Sequence, residues 1–197
     1  NLIDSIHKQD YPRNLINIFV IADNCSDNTA SIARKKGSIV FERSNKNYVG
    51  KGYALNYIFR RIIDTDTDCD AFIVFDADNL LDKNYIREMN QEYNKGSRVI
   101  TSYRNSKNYG SNWISAGSGL WFIRESKYLN NARTRLNTSA AVSGTGFLVK
   151  RELIEYQEGW KHFLLTEDIE FTIDYIIKGE KIGYCPEAVF YDEQPVT

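Results

Sequence analysis

Three observations predict an α/β fold with its polar chemistry gathered at one sheet edge. Strand-like apolar runs alternate with helical or loop segments from end to end of the chain. The helical segments repeat their apolar residues at helical spacing. Three apolar runs end in acid: Ile18–Ala22 meets Asp23, Ala71–Phe75 meets Asp76-Ala77-Asp78, and Leu164-Leu165 meets Thr166-Glu167-Asp168.

Each element has a local reason. Ile16–Ala22 reads as the first strand, and Asp27-Asn28-Thr29 precedes Ala30–Lys36, where an N-terminal acid, a basic last turn and a stopping Gly37 match helix polarity. Ser38–Glu42 is the next strand. Gly52–Ile63 carries Leu55, Ile58, Phe59 and Ile62 on one helical face. Ala71–Phe75 is a buried strand, Tyr85–Tyr93 a helix, and Val99–Tyr103 and Phe147–Val149 are strands. From Glu167 onward, Ile169, Phe171, Ile173, Ile176 and Ile177 form an amphipathic stretch. Pro12, Pro186 and Pro195 sit near predicted boundaries, with no repeat or Pro-rich linker between them, so one continuous domain over 1–197 is expected.

Composition narrows the function. A chain of 197 residues, 42% hydrophobic, buries roughly 70% of its unfolded surface. Its net charge of −1 with scattered Lys and Arg gives no basic field for nucleic acid. Cys25, Cys69 and Cys185 are odd in number and lack CxxC spacing, which argues against a disulfide framework or zinc site and for a reducing compartment. No apolar stretch reaches the ~20 residues that span a bilayer. The opening Asn1-Leu2-Ile3-Asp4 has neither an initiator Met nor the form of a signal peptide, so a piece of a longer protein is expected.

The acids carry the chemistry. Asp76 and Asp78, two residues apart at a strand end, are expected to point to one side. Two anionic oxygens at one mouth repel unless a hard dication or a donor network lies between them, and a dication there would hold a diphosphate. The plainer reading is an Asx-turn. Asp64, Asp66, Asp68 and Asp70 invite a calcium-loop reading, but Cys69 and Phe75 stand where an EF-hand needs Gly and Glu, so a solvated loop is expected. Lys51, between Gly50 and Gly52, either offers a cation and open amides to phosphate or simply starts a helix. Ser143-Gly144-Thr145-Gly146 either lets a ligand approach the backbone or makes a tight turn. Glu167-Asp168 caps a helix or supplies a carboxylate base to an acceptor hydroxyl. Trp113, Ile114, Leu120, Trp121, Phe122 and Ile123 read first as core, and otherwise as an acceptor groove or a membrane contact.

In this order the pieces resemble glycosyltransferase family two: Asp23-Asn24-Cys25-Ser26-Asp27, Gly50-Lys51-Gly52-Tyr53-Ala54-Leu55-Asn56, Phe75-Asp76-Ala77-Asp78, Ser143-Gly144-Thr145-Gly146 and Leu165-Thr166-Glu167-Asp168. His7-Lys8-Gln9-Asp10-Tyr11-Pro12 is similar to the family's first helix and turn. The resemblance implies a GT-A fold, a Rossmann-like mixed sheet flanked by helices. A nucleotide-binding half (about 1–104) would join an acceptor-binding half (about 105–197). It implies an inverting transfer from a UDP-sugar to a saccharide or lipid-linked acceptor, with Mg²⁺ or Mn²⁺. Asp23 would contact uracil or ribose, and Lys51 and Gly144 would lie by the donor. Asp76 would lie against the nucleotide, Asp78 would ligate the metal, and Asp168 would be the base. A non-catalytic sugar-nucleotide-binding module and a nucleotidyltransferase are the other readings.

Two departures from the family pattern matter. The usual first strand, with its Pro-x-Tyr-Asn-Glu type segment, is not in this sequence, and processive members carry a Gln-x-x-Arg-Trp motif shortly after a segment like Tyr191-Asp192-Glu193-Gln194-Pro195, whereas this sequence stops at Thr197. The expectation is therefore the catalytic piece of a membrane-attached polysaccharide or glycolipid synthase working at the cytoplasmic face of the plasma membrane.

Overall fold

A computed structural model describes residues 1–65 and 67–197. In chain order the elements are α1 (Leu2–His7), β1 (Phe19–Asp23), α2 (Thr29–Lys35), β2 (Ile39–Arg43), α3 (Lys51–Asp64), β3 (Ala71–Val74), β4 (Leu80–Leu81), α4 (Tyr85–Tyr93), β5 (Val99–Ser106), α5 (Trp113–Ile123), α6 (Asn131–Arg135), β6 (Phe147–Lys150), α7 (Arg151–Tyr156), α8 (Glu167–Ile177) and β7 (Ile182–Asp192), and a short 3₁₀ turn at Arg13–Leu15 leads into β1. A π-helical stretch, Arg124–Asn130, joins α5 to α6 without a break. Of the acidic run, Asp64 is helical, as the last residue of α3, Asp68 and Asp70 lie in the loop before β3, and Asp66 lies outside the described residues.

β1 and β2 pair in parallel, while a five-stranded sheet runs β3-β6-β5-β7-β4. β6 is antiparallel to both β3 and β5, β7 is parallel to β5, and β4 is antiparallel to β7, so the sheet is mixed. Strands from the middle and the last part of the chain interleave in it. β7 bulges, because Ser102 pairs with Cys185 but Tyr103 pairs with Val189. That bulge accommodates Pro186, which could not donate to a regular ladder. Beyond it the register sets Asp192 opposite Ser106.

Apolar residues pack on both faces. On one, Leu55, Ile58, Phe59 and Ile62 of α3 meet Phe72, Phe147, Trp160 and Phe171. On the other, Tyr85 and Met89 of α4 meet Ile100, Leu148 and Phe190. Gly146, at φ 67°, passes so near Phe190 that a Cβ would fall 2.1 Å from its ring. Its carbonyl accepts from Ser102 Oγ at 2.6 Å and Tyr85 Oη at 3.1 Å. The turn before β6 is thus fixed by Phe190, Ser102 and Tyr85 on one face of the sheet.

Candidate active site

β3 ends at Val74, so Asp76 and Asp78 do not share a side through strand alternation as the sequence suggests; they sit in a turn closed by Asn79 N–H to Asp76 O at 3.1 Å. Buried Asn79 organises that turn. Its Oδ1 accepts from Asp76 N–H at 3.1 Å and from Thr145 Oγ1 at 2.5 Å, and its Nδ2 donates to Asp192 Oδ1 at 2.8 Å. Asp76 N–H also donates to Thr145 Oγ1 at 2.9 Å, tying the acidic turn to the Ser143–Gly146 turn.

Lys51, the first residue of α3, crosses to both. Its Nζ donates to Asp76 Oδ1 at 2.5 Å and to the Gly144 carbonyl at 2.7 Å. Gly144 has φ 71° and stands beside Asp168: a Cβ on it would lie 3.8 Å from Asp168 Oδ2. Asp168 Oδ1 accepts from Ile169 N–H at 2.9 Å in the first turn of α8. Buried Glu167 precedes it; burial holds its carboxyl above the usual range, with Lys51 acting against this and Asp168 and Asp76 adding to it. Glu170 Oε2 accepts from Phe163 and Leu164 N–H at 2.9 and 3.1 Å, fastening the loop that delivers Asp168. In that loop Leu164 and Leu165 are exposed, so the third apolar run is no strand.

Asp78 stands apart electrostatically. Among the described residues no ion pair engages its carboxylate; only Asn79 Nδ2 approaches, at 3.3 Å. Partial desolvation raises its pKa, and the negative charges of Asp192 and Asp76 raise it further. A dication would relieve that repulsion, and Asp78 suits a hard cation that takes one or two carboxylates and fills its other positions with water and phosphate oxygens. No ready cluster of three ligating side chains exists among the described residues. Asp76 is held by Lys51, and buried Asp192 by Arg104 Nε at 2.9 Å.

Lys51 thus joins Asp76 to Gly144, which stands beside Asp168, and Asp78 shares the turn of Asp76, whereas Asp23 lies at the end of β1 in a separate pair. Its Oδ1 meets Arg43 Nη1 at 2.5 Å, across the parallel register that sets Asp23 beside Arg43. Asn24, at φ 53°, continues the turn by accepting from Asn45 N–H at 2.8 Å. Asp192 and Arg104 were not singled out from sequence as site residues. Asp192 lies in the family-like segment Tyr191–Pro195, and it is β7's register with β5 that brings it to the acidic turn.

The family model described as "Glycosyltransferase like family 2" matches residues 1–197. The probable glycosyltransferase YdaM of Bacillus subtilis is 27% identical over 209 residues, covering 95% of this chain and 45% of its own length. Among solved structures, the Pyrobaculum calidifontis mannosyltransferase PcManGT, in complex with GDP-Man and Mn²⁺, superposes with a TM-score of 0.69 at 18% identity, over 98% of this chain and 52% of its own. S. aureus TarS 1-349 in complex with UDP-GlcNAc gives 0.67 at 17% identity, over 100% and 54%. This chain thus spans about half the length of the proteins it matches. With a match along its whole length and the mixed sheet of these structures, the chain belongs to glycosyltransferase family 2 and has the GT-A fold.

Proposed function

We propose that this chain carries the donor site and catalytic base of an inverting glycosyltransferase that moves a sugar from UDP to the hydroxyl of a saccharide or lipid-linked acceptor. The observation that carries this reading is the link from Asp76 through Lys51 to Gly144 and Asp168, with Asp78 in the same turn as Asp76. Asp78 would hold Mg²⁺ or Mn²⁺, which when bound neutralises charge on the departing diphosphate. Asp76 and Lys51 line the donor side, and Asp23 with Arg43 offers an acceptor and donor pair to uracil or ribose. Asp168 takes the acceptor hydroxyl's proton as that oxygen bonds to the anomeric carbon and the bond to UDP breaks. One displacement turns an α-linked donor into a β-linked product.

The TarS complex supports a UDP donor and the PcManGT complex supports Mn²⁺, each as a property of that protein. The test is product analysis of the full-length gene product with UDP-sugars, and with GDP-mannose as competitor. Free UDP and a new glycosidic bond are expected. Pyrophosphate release would indicate a nucleotidyltransferase, and binding without turnover a sugar-nucleotide module.

A further inference from the structure

The helix running from Trp113 through the π-helical stretch to Arg135 is inside-out. Its inward stripe holds Ser115, Gly119, Ser126 and Asn130, all buried. Those residues serve the fold. Ser126 Oγ donates to the Arg104 carbonyl at 3.0 Å, Asn130 bonds both polar groups of Ala141, and a Cβ on Gly119 would lie 3.2 Å from Ser106 Cβ. The outward side carries large apolar groups seven and eight residues apart: Trp113 is 83% exposed, Leu120 54% and Tyr128 63%, with Trp121 beside them at 61%, while Ile114, Phe122 and Ile123 are half-buried. The reading of this segment as core fails for Trp113, Leu120 and Trp121. Water-soluble helices do the reverse, and a contiguous exposed apolar patch marks a contact surface.

Charge identifies the contact. Between 113 and 136 the chain carries Arg124, Lys127, Arg133 and Arg135 against Glu125, a net +3 within a molecule of net −1, so the remainder carries −4. Arg124 lies over the Trp121 ring at 5.3 Å, on the exposed stripe itself. We infer that this helix lies flat on an anionic lipid bilayer surface, with Trp113, Leu120, Trp121 and Tyr128 in the headgroup region and Arg124, Lys127 and Arg135 against lipid phosphates. Trp and Tyr favour that boundary because they pair an apolar body with a polar edge. A second copy of the chain fits worse, since a two-fold contact would set the same cations against each other. The loop that leads into this helix reaches the site, where Lys107 donates to the Asp78 carbonyl at 2.8 Å. The inference rests on exposure and charge and is independent of the transferase reading.

Co-sedimentation of the chain with phosphatidylcholine vesicles, with and without phosphatidylglycerol, tests it. Three contacting cations should tighten binding by on the order of 10² when phosphatidylglycerol is present, at about fivefold each, and salt should reverse the gain. Trp113→Ser with Trp121→Ser should weaken binding by at least about tenfold. Lys127→Gln with Arg135→Gln should remove most of the phosphatidylglycerol dependence. All four side chains are exposed, and circular dichroism verifies that each variant folds. A folded chain that stays in the supernatant with phosphatidylglycerol vesicles overturns the inference. So does lipid binding indifferent to both pairs of substitutions, or a dimer in solution that the Trp substitutions dissolve.

Discussion

Lys51 and Asp76 are ion-paired at 2.5 Å, while Asp78, two residues on, has no such cation on its carboxylate among the described residues. The two acids therefore have different tasks. Asp78→Ala should abolish the dependence of UDP affinity on Mn²⁺, read by calorimetry with and without the metal, and an unchanged dependence would make the pair structural. Acid should act similarly. The Asp78 pKa is raised above 3.8 by partial desolvation, Asp192 and Asp76, so the group takes up its proton at a higher pH than a free carboxylate. Metal-dependent binding should fade in that window as pH falls. The metal-free fold gains stability there instead, because the folded state binds the proton more tightly than the unfolded chain does.

Asp23 is best tested by Asn. Its partner Arg43 is only 8% exposed, so Ala would strand a buried cation and confuse stability with recognition. Asp23→Asn keeps the shape and removes the charge. If a carboxylate oxygen accepts from uridine, UDP affinity should fall by about 1 to 3 kcal/mol with little effect on an adenine nucleotide, measured by competition titration. Equal weakening of both nucleotides would show that the residue supports the loop at Asn24 and nothing more.

The sequence made the elements around the site legible where periodicity and punctuation agreed. The Tyr85–Tyr93 helix matches α4 residue for residue, and α3 extends its predicted span by one residue at each end. β7 was missed because Pro186 reads as a boundary, whereas the bulge after Cys185 absorbs it. β4, with two residues, is too short to have a pattern. The sequence does not show the α5 helix because its buried residues are Ser115 and Gly119, while Trp113, Leu120 and Trp121 are exposed, so no apolar stripe marks a packed face. Within the site, the acids could be picked out singly, but the links among them could not. Asn79, Thr145 and Asp192 are brought together by the β3–β6 and β5–β7 pairings, between segments remote in sequence.

Gly52 gives a test of how the base is positioned. A Cβ there would lie 2.1 Å from the His162 carbonyl oxygen, which also accepts from Trp160 Nε1 at 2.8 Å. Next to it Phe163 stacks on Tyr53 with ring centroids 4.7 Å apart. The start of α3 and the loop leading to Asp168 are thus packed backbone against backbone, and neither can yield cheaply. Gly52→Ala should destabilise the chain by about 1 to 3 kcal/mol in urea titration and lower kcat more than it raises KM in the full-length gene product. Wild-type stability would mean that the loop moves freely and that its packing does not position Asp168.

Asp168→Asn separates a catalytic base from a structural cap. Asp168 Oδ1 already accepts from Ile169 N–H, and Oδ2 lies on the Gly144 side, so Asn can keep the backbone bond through its own carbonyl oxygen and lose only basicity at the mouth. A base acts on the acceptor and does little to hold the nucleotide, so UDP affinity should stay within about twofold of wild type. Turnover by the full-length gene product should fall by on the order of 10² to 10⁴. A cap makes a different forecast, because Asn caps a helix about as well as Asp, leaving both stability and rate near wild type. If the variant keeps more than about half the transferase rate, Asp168 is structural. The base would then be sought at Glu167, whose buried carboxyl is already biased towards holding a proton and lies in the field of Lys51 and Asp76.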